Sequence, residues 1–173
     1  MISVLVAAGI LAAAPAGPLW PIEIHSLAKV VRQEAARLGQ PQTEVKEFVG
    51  GRKTLRADVN GDRRDELVVL FTLERGNFWA QYLTVLSSAG SPLATTEVSR
   101  KGVRAVDLDR TAGPIIQLTT KSYGPEDAMC CPSLPGHASY LIRGRHLREI
   151  KPPTAAVSRG TPPLVRRAHA RHH

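Results

Sequence analysis

The residues from Asp58 to Glu66 carry the oxygen atoms that a hard cation would need. Oxygen side chains stand at alternate positions of this short segment, with Asp58 first, Asn60 third and Asp62 fifth. Alternate residues of a tight loop turn toward a common centre, and Ca²⁺ takes six to eight oxygen ligands. Counting on, the backbone carbonyl of Arg64 falls at position seven and the carboxylate of Glu66 at position nine. The spacing therefore predicts a calcium-type loop formed by these five residues.

The same segment also has an interpretation without a metal ion. Asp and Asn side chains accept hydrogen bonds from nearby backbone N–H groups, so the segment could be an Asx-rich turn. Arg63 and Arg64 also place positive charge beside the carboxylates and could pair with them. Both interpretations remain open at this point.

The acidic segment and the apolar residues that follow it resemble a known repeat. Asp58-Val-Asn-Gly-Asp62 leads into Glu66 and an apolar strand, an arrangement similar to the FG-GAP and VCBS repeats of integrin-type propellers and bacterial exported proteins. The resemblance extends from about Leu55 to Leu73. It implies calcium at Asp58, Asn60, Asp62 and Glu66, with a structural rather than a catalytic role. Those repeats usually have glycine at position six, where their chain takes a left-handed turn, whereas this chain has Arg63. A residue other than glycine in that conformation costs about 1 kcal/mol.

The two cysteines form the second constellation. Cys130 and Cys131 are adjacent and lie in a segment rich in proline and glycine, from Tyr123 to Pro135, which predicts a long loop. In an oxidising compartment they could form a vicinal disulfide, stay as two thiols or form an intermolecular bridge. The vicinal disulfide is the favoured prediction, and it would make the loop a rigid contact surface. This pattern resembles a loop of exported bacterial proteins that carry the same acidic segment upstream.

Two other classes of function stay open. Thiol and thioether groups suit Cu(I), so Met129, Cys130 and Cys131, with His137 nearby, could belong to a copper chaperone or sensor. An enzyme with scattered site residues is the other class, although the sequence contains no phosphate-binding loop, G-x-S-x-G or H-E-x-x-H motif. The favoured prediction is a non-enzymatic binding or structural module. Further soft-metal ligands could come from the C-terminal histidines His169, His172 and His173.

The N-terminus has the composition of an export signal. Val4 to Ala14 is an uninterrupted run of small and apolar residues, too short to span a membrane but typical of a signal peptide. Ala14-Pro15-Ala16 supplies small residues at a cleavage site, so residues 1–16 are predicted to be a signal peptide. We therefore expect a periplasmic or secreted protein without a membrane span after cleavage. Its expected partner is an unidentified protein or a component of the cell envelope.

The charge distribution argues against nucleic-acid binding. The 173 residues carry a net charge of +8, but five of the 23 Lys and Arg residues lie beyond Ile150, where no acidic residue occurs. The rest of the chain is nearly balanced, and no aromatic residues are interleaved with the basic residues of the C-terminal segment. Nucleic-acid binding, by contrast, usually needs a basic patch on the folded domain. The segment 152–173, basic and rich in proline, is predicted to be disordered. One β-rich domain is expected over residues 17–151.

Periodicity predicts the elements that position these residues. Apolar residues at three- and four-residue steps indicate an amphipathic helix that ends before Gly39 and Pro41. The remainder predicts a mainly β (α+β) fold, an antiparallel meander of about seven or eight short strands. The apolar face of the helix comprises Ile24, Leu27, Val31, Ala35 and Leu38. The predicted strands are 66–73, 78–86, 93–98, 103–108, 115–121, 138–142 and 147–150.

A weak internal repeat bears on how these strands are grouped. Arg56-Ala57-Asp58 precedes the strand at Leu67, and Arg104-Ala105 with Asp107 precedes the strand at Ile115, at an offset of about 48 residues. This period is close to that of a four-stranded propeller blade. Because two units cannot close a propeller, the repeat predicts two small sheets that pack together or a single curled sheet.

Overall fold

The computed structural model describes residues 17–38, 45–76, 78–99, 104–128 and 131–150. As predicted, they form a mainly β fold of two antiparallel sheets with one helix near the N-terminus. The predicted signal peptide, the segment 151–173 and the helix-ending residues Gly39 and Pro41 lie outside these residues. The elements are α1 (Pro21–Arg37), β1 (Lys46–Glu47), β2 (Lys53–Ala57), β3 (Glu66–Arg75), β4 (Phe78–Leu86), β5 (Pro92–Glu97), β6 (Arg104–Ala112), β7 (Ile115–Ser122), β8 (Leu134–Arg143) and β9 (His146–Ile150).

The first sheet is built around β3. β4 pairs with one side of β3, and β5 pairs with β4; β1 and β2 lie end to end along the other side of β3. Residues 66–73 of β3 are all buried, which confirms the prediction of a strand covered on both faces. Leu67, Val69, Phe71 and Leu73 belong to the cluster that packs with α1, while Val68 and Leu70 face the second sheet.

The second sheet is the meander β6-β7-β8-β9. It packs against the first sheet through Ile116, Leu118 and Tyr140, which share one buried cluster with Val68 and Leu70. The strands β2 to β5 form the same four-stranded meander as β6 to β9, so the predicted repeat corresponds to two small sheets packed on each other. Within the described residues, no helix is long and apolar enough to cross a membrane.

The prediction of the helix was correct in extent but partly wrong in its buried face. Leu27 and Ala35 are buried, whereas Ile24 is 52% exposed. The reason is that Glu23 occupies the buried position at that end of the helix, where it pairs with Arg56 of β2. Val30, which was not predicted, supplies an apolar contact two turns after Glu23.

The strand count was underestimated, since the described residues form nine strands. β1 and β2 are short and polar, and apolar periodicity did not reveal them. β8 begins at Leu134 rather than Ala138, although it includes Pro135 and Gly136. A side chain at Gly136 would come within 2.9 Å of Thr120 Oγ1. The close approach of Thr120 on β7 therefore explains why a glycine stands at this position of the strand.

The acidic loop and the cysteine loop

The acidic residues lie in the connection between β2 and β3. Ala57, the last residue of β2, pairs with Glu66, the first residue of β3. Residues 58–65 therefore form a loop that is closed at its base by two paired strands. The loop residues from Asn60 to Asp65 are exposed, but Val59 and Glu66 are buried. The sheet thus holds one carboxylate inside the protein directly beneath the exposed carboxylates.

Side chains of the loop bind its own backbone. Asp58 accepts hydrogen bonds from the N–H groups of Gly61 (2.7 Å) and Arg63 (2.9 Å). Asn60 Oδ1 accepts one from Asp62 (2.7 Å), and Asp62 Oδ1 accepts one from the backbone of Arg64 (2.8 Å). These are the bonds of an Asx-rich turn, and they orient the side chains of the loop. Among the described ion pairs, none joins Arg63 or Arg64 to a loop carboxylate.

Arg63 has a left-handed backbone, with φ of 66°, as the resemblance to the repeats implied for position six. It is the one residue other than glycine with positive φ in the described part of the chain. Gly61, two residues earlier, has φ of 86°. The loop therefore takes the turn that the resembling repeats make with glycine, although an L side chain is disfavoured in this conformation.

This geometry predicts that glycine at two neighbouring arginine positions changes the melting temperature in opposite directions. Arg63→Gly is expected to raise the melting temperature slightly, because it removes strain of about 1 kcal/mol and thereby outweighs the added flexibility of the unfolded chain. Arg64, which is exposed and does not have positive φ, is the matched control. Arg64→Gly is expected to lower the melting temperature, because only the flexibility changes. Thermal unfolding of both variants measures this, and a decrease for Arg63→Gly would contradict it.

Three carboxylates of the loop meet at one point. Asp58, Asp62 and Glu66 each place an oxygen within 4.8 Å of the others. The carboxylate of Glu66 accepts hydrogen bonds of 3.1 Å from Val59 N–H and from Asn60 Nδ2. Asn60 Nδ2 also lies 3.1 Å from Asp62 Oδ2. The amide of Asn60 therefore stands between two carboxylates.

The electrostatics of the cluster are unfavourable for three negative charges. Burial raises the pKa of Glu66, and the negative charges of Asp62 and Asp58 raise it further, which outweighs the lowering by the bonds from Val59 and Asn60. A divalent cation at this point would compensate the repulsion. Of the five predicted ligands, the structure brings together the carboxylates of Asp58, Asp62 and Glu66. Asn60 lies beside them, but it presents its amide nitrogen to the carboxylates while its oxygen accepts from the Asp62 N–H. The carbonyl of Arg64 as a fifth ligand stays a prediction.

The cysteine loop connects β7 and β8 and is organised by an aspartate that sequence reasoning had not singled out. Asp127 Oδ2 accepts hydrogen bonds of 2.7 Å from the backbone of Gly124 and of Ser133. The bond from Gly124 and then the bonds from Ser133 hold the pKa of Asp127 below its ordinary value. The turn residues around Asp127 were a usable signal, since Asp and Gly favour such bonds.

Of the predicted soft-metal ligands, Cys131 and His137 lie in the part of the chain that the structure describes. Cys131 is exposed, and its N–H donates to Ala128 at 2.9 Å. His137 lies on β8 opposite Thr119. In the part of the chain that the structure describes, the acidic cluster is the one group of three or more His, Cys, Asp and Glu residues with metal-binding spacing. Met129 and Cys130 lie outside that part, as do His169, His172 and His173, so the vicinal disulfide and the copper site stay predictions.

Comparisons with known proteins add no assignment to this geometry. No family model matches the chain. No curated protein and no solved structure matches it either.

Proposed function

We propose that the protein is an exported, non-enzymatic binding or structural module whose acidic loop binds calcium. The observation that carries this proposal is the convergence of Asp58, Asp62 and buried Glu66 where the loop between β2 and β3 meets the paired strands. Six to eight oxygens would be needed, and Asn60, Arg64 and water would complete the set. The loop joins two strands of the larger sheet, so an ion there would act on stability rather than on a substrate.

Export is supported by the sequence. The apolar run from Val4 to Ala14 and the small residues up to Ala16 have the pattern of a cleaved signal. Calcium sites of low affinity suit an extracellular or periplasmic location, where the ion is more concentrated than in the cytosol. The segment from Tyr123 to Pro135 is proposed as a contact surface because Asp127 binds the backbone of Gly124 and Ser133 in it. Leu134 of the same segment is 47% exposed.

The calcium part of the proposal predicts a stability difference between calcium and chelator. An ion that binds only the native state adds about 2.7 kcal/mol when its free concentration is 100 times the dissociation constant. The wild-type protein is therefore expected to melt at a higher temperature in calcium than in chelator. Asp62→Asn should lose this gain, because it removes one of the three carboxylates of the cluster. Since Asp62 is exposed, the substitution should change the melting temperature in chelator little. Thermal unfolding in both buffers measures the difference.

Two further variants make this experiment specific. Asp65 lies in the same loop but outside the cluster, so Asp65→Asn should keep the full gain in calcium. Asp58→Ala should lower the melting temperature in both buffers, because it also removes the acceptor for Gly61 and Arg63. A wild-type protein that melts at one temperature in both buffers would overturn the calcium proposal and favour the metal-free Asx turn.

A further inference from the structure

The open edge of β5 is a second feature that could bind a ligand. β5 pairs with β4 on one side, and no described strand pairs with its other side. An exposed strand edge presents N–H and C=O groups that an extended peptide can pair with. None of the residues around this edge belongs to the acidic loop or to the cysteine loop.

The pairing with β4 determines which backbone groups point outward. Val98 N–H donates to Gln81 C=O at 2.8 Å, and the register places Thr96 opposite Leu83. The backbone N–H and C=O groups alternate in direction along an antiparallel strand. Those of Thr96 therefore also point toward β4, and those of Thr95 and Glu97 point away from β4. The described residues make no backbone hydrogen bond to these outward groups.

The edge lies at the floor of a groove rather than on an open surface. A cavity of about 390 Å³ is lined by Val30 and Gln33 of α1 and by residues 92–95 of β5. Arg145 of the β8–β9 turn and His146, the first residue of β9, also line it. A second cavity of about 270 Å³ continues along β5 to Glu97. The two cavities share three lining residues, namely Glu34, Arg37 and Thr95. A strand added in the plane of the first sheet would therefore lie between the helix and the second sheet.

The charges along the groove differ at its two ends. Arg145 and His146 are exposed at the end near Pro92, and Glu97 lies at the other end. Between them, Arg37 is already paired with buried Glu34 at 2.7 Å. An antiparallel partner of β5 would run from Glu97 toward Pro92. Its C-terminal end would then approach Arg145 and His146.

We propose that this groove binds the C-terminal segment of a partner protein as an added antiparallel strand. The backbone of about four to six residues would pair with Thr95 and Glu97, as in other cases of strand addition to a sheet edge. The terminal carboxylate would face Arg145 and His146. This surface goes beyond the calcium-binding module proposed above and does not depend on the metal.

A display library of random hexapeptides with free C-termini tests the proposal on the full chain. A selected hexapeptide is expected to bind about tenfold more weakly when its C-terminus is amidated, or when Arg145→Glu reverses the charge. Thr95→Pro should also abolish binding, since it removes an outward N–H while an edge strand tolerates proline. Arg148→Glu is the matched control, because Arg148 is exposed on the adjacent strand β9 and does not line the groove.

Hydrogen exchange gives a readout that does not need the proline variant. The N–H groups of Thr95 and Glu97 are expected to exchange quickly in the free protein and slowly with the hexapeptide bound. Failure to select any peptide, or binding that is unaffected by amidation and by Arg145→Glu, would overturn the proposal. Protection of both amides without peptide would also overturn it, because a second copy or the chain itself would then cover the edge. Equal binding in calcium and in chelator is expected, which separates this result from the calcium proposal.

Discussion

Replacing Arg56 with methionine is expected to lower the free energy of unfolding by about 3 kcal/mol, because it leaves a buried carboxylate without a partner. Glu23 is fully buried, and its two oxygens accept hydrogen bonds from Arg56 Nη1 and Nη2 at 2.7 and 2.8 Å. A third bond comes from the Trp20 N–H at 2.8 Å. The Arg56 guanidinium also lies 4.7 Å from the centre of the Trp20 ring. One substitution thus removes an ion pair, two hydrogen bonds and a cation–π contact.

Lys53→Met is the control for this prediction. Lys53 is on the same strand β2, and its pair with Asp107 spans 3.8 Å with both side chains about half exposed. Exposed pairs contribute little, so Lys53→Met should change stability by less than about 1 kcal/mol. Urea unfolding at neutral pH compares the two variants. Similar losses for both would contradict the special role of the Glu23 pair.

The pair also determines how stability depends on pH. Burial raises the pKa of Glu23, but the hydrogen bonds from Arg56 and Trp20 and the charge of Arg56 outweigh it, so the pKa lies below 4.5. Because the folded pKa is lowered, the stabilisation is present above pH 4.5 and is lost as the pH falls through the folded pKa. The difference between wild type and Arg56→Met should therefore shrink in acid.

Phe71→Ala is expected to cost about 3 to 5 kcal/mol, the largest loss for a single core residue. Phe71 is fully buried on the face of β3 that packs with α1. Its ring stacks on Tyr82 with 5.4 Å between centroids, a contact that adds to the area it buries. The substitution would leave a cavity between the sheet and the helix. Its effect should include weaker protection of the α1 amides from hydrogen exchange.

Phe48 provides the matched comparison, since it is the same residue type but is 50% exposed. Phe48→Ala should cost far less, because much of its ring is already in water. Chemical unfolding of both variants measures how much free energy of unfolding each substitution removes. Equal losses would mean that the cluster between α1 and the first sheet is not the principal core.

Local pattern was sufficient for the central strand and for the acidic loop. The continuous apolar run of β3 predicted burial on both faces, and the alternate oxygens at Asp58, Asn60 and Asp62 predicted side chains that turn inward. The left-handed position of Arg63 was implied by the resemblance to the known repeats. These features depend on residues close together in the sequence, which is why a single chain reveals them.

Long-range features could not be predicted in the same way. Periodicity treats Glu23 as a polar residue for the solvent side, and its partner Arg56 lies 33 residues further along the chain. The outward groups of Thr95 depend on the order of strands in the sheet, which no local pattern contains. In the cysteine loop, the prediction concerned the two thiols, whereas the described hydrogen bonds to Gly124 and Ser133 are made by Asp127.

The order of the strands also bears on how the chain reaches this fold. From β2 to β5 and from β6 to β9, each strand pairs with its neighbour along the chain. Such pairs close short loops at a small cost in chain entropy, which favours rapid folding. Helix α1 contacts β4 and β5, which come later in the chain. In a chain that emerges N-terminus first, the apolar face of α1 has no partner until these strands have formed. We therefore expect folding to begin in the meander rather than in the helix.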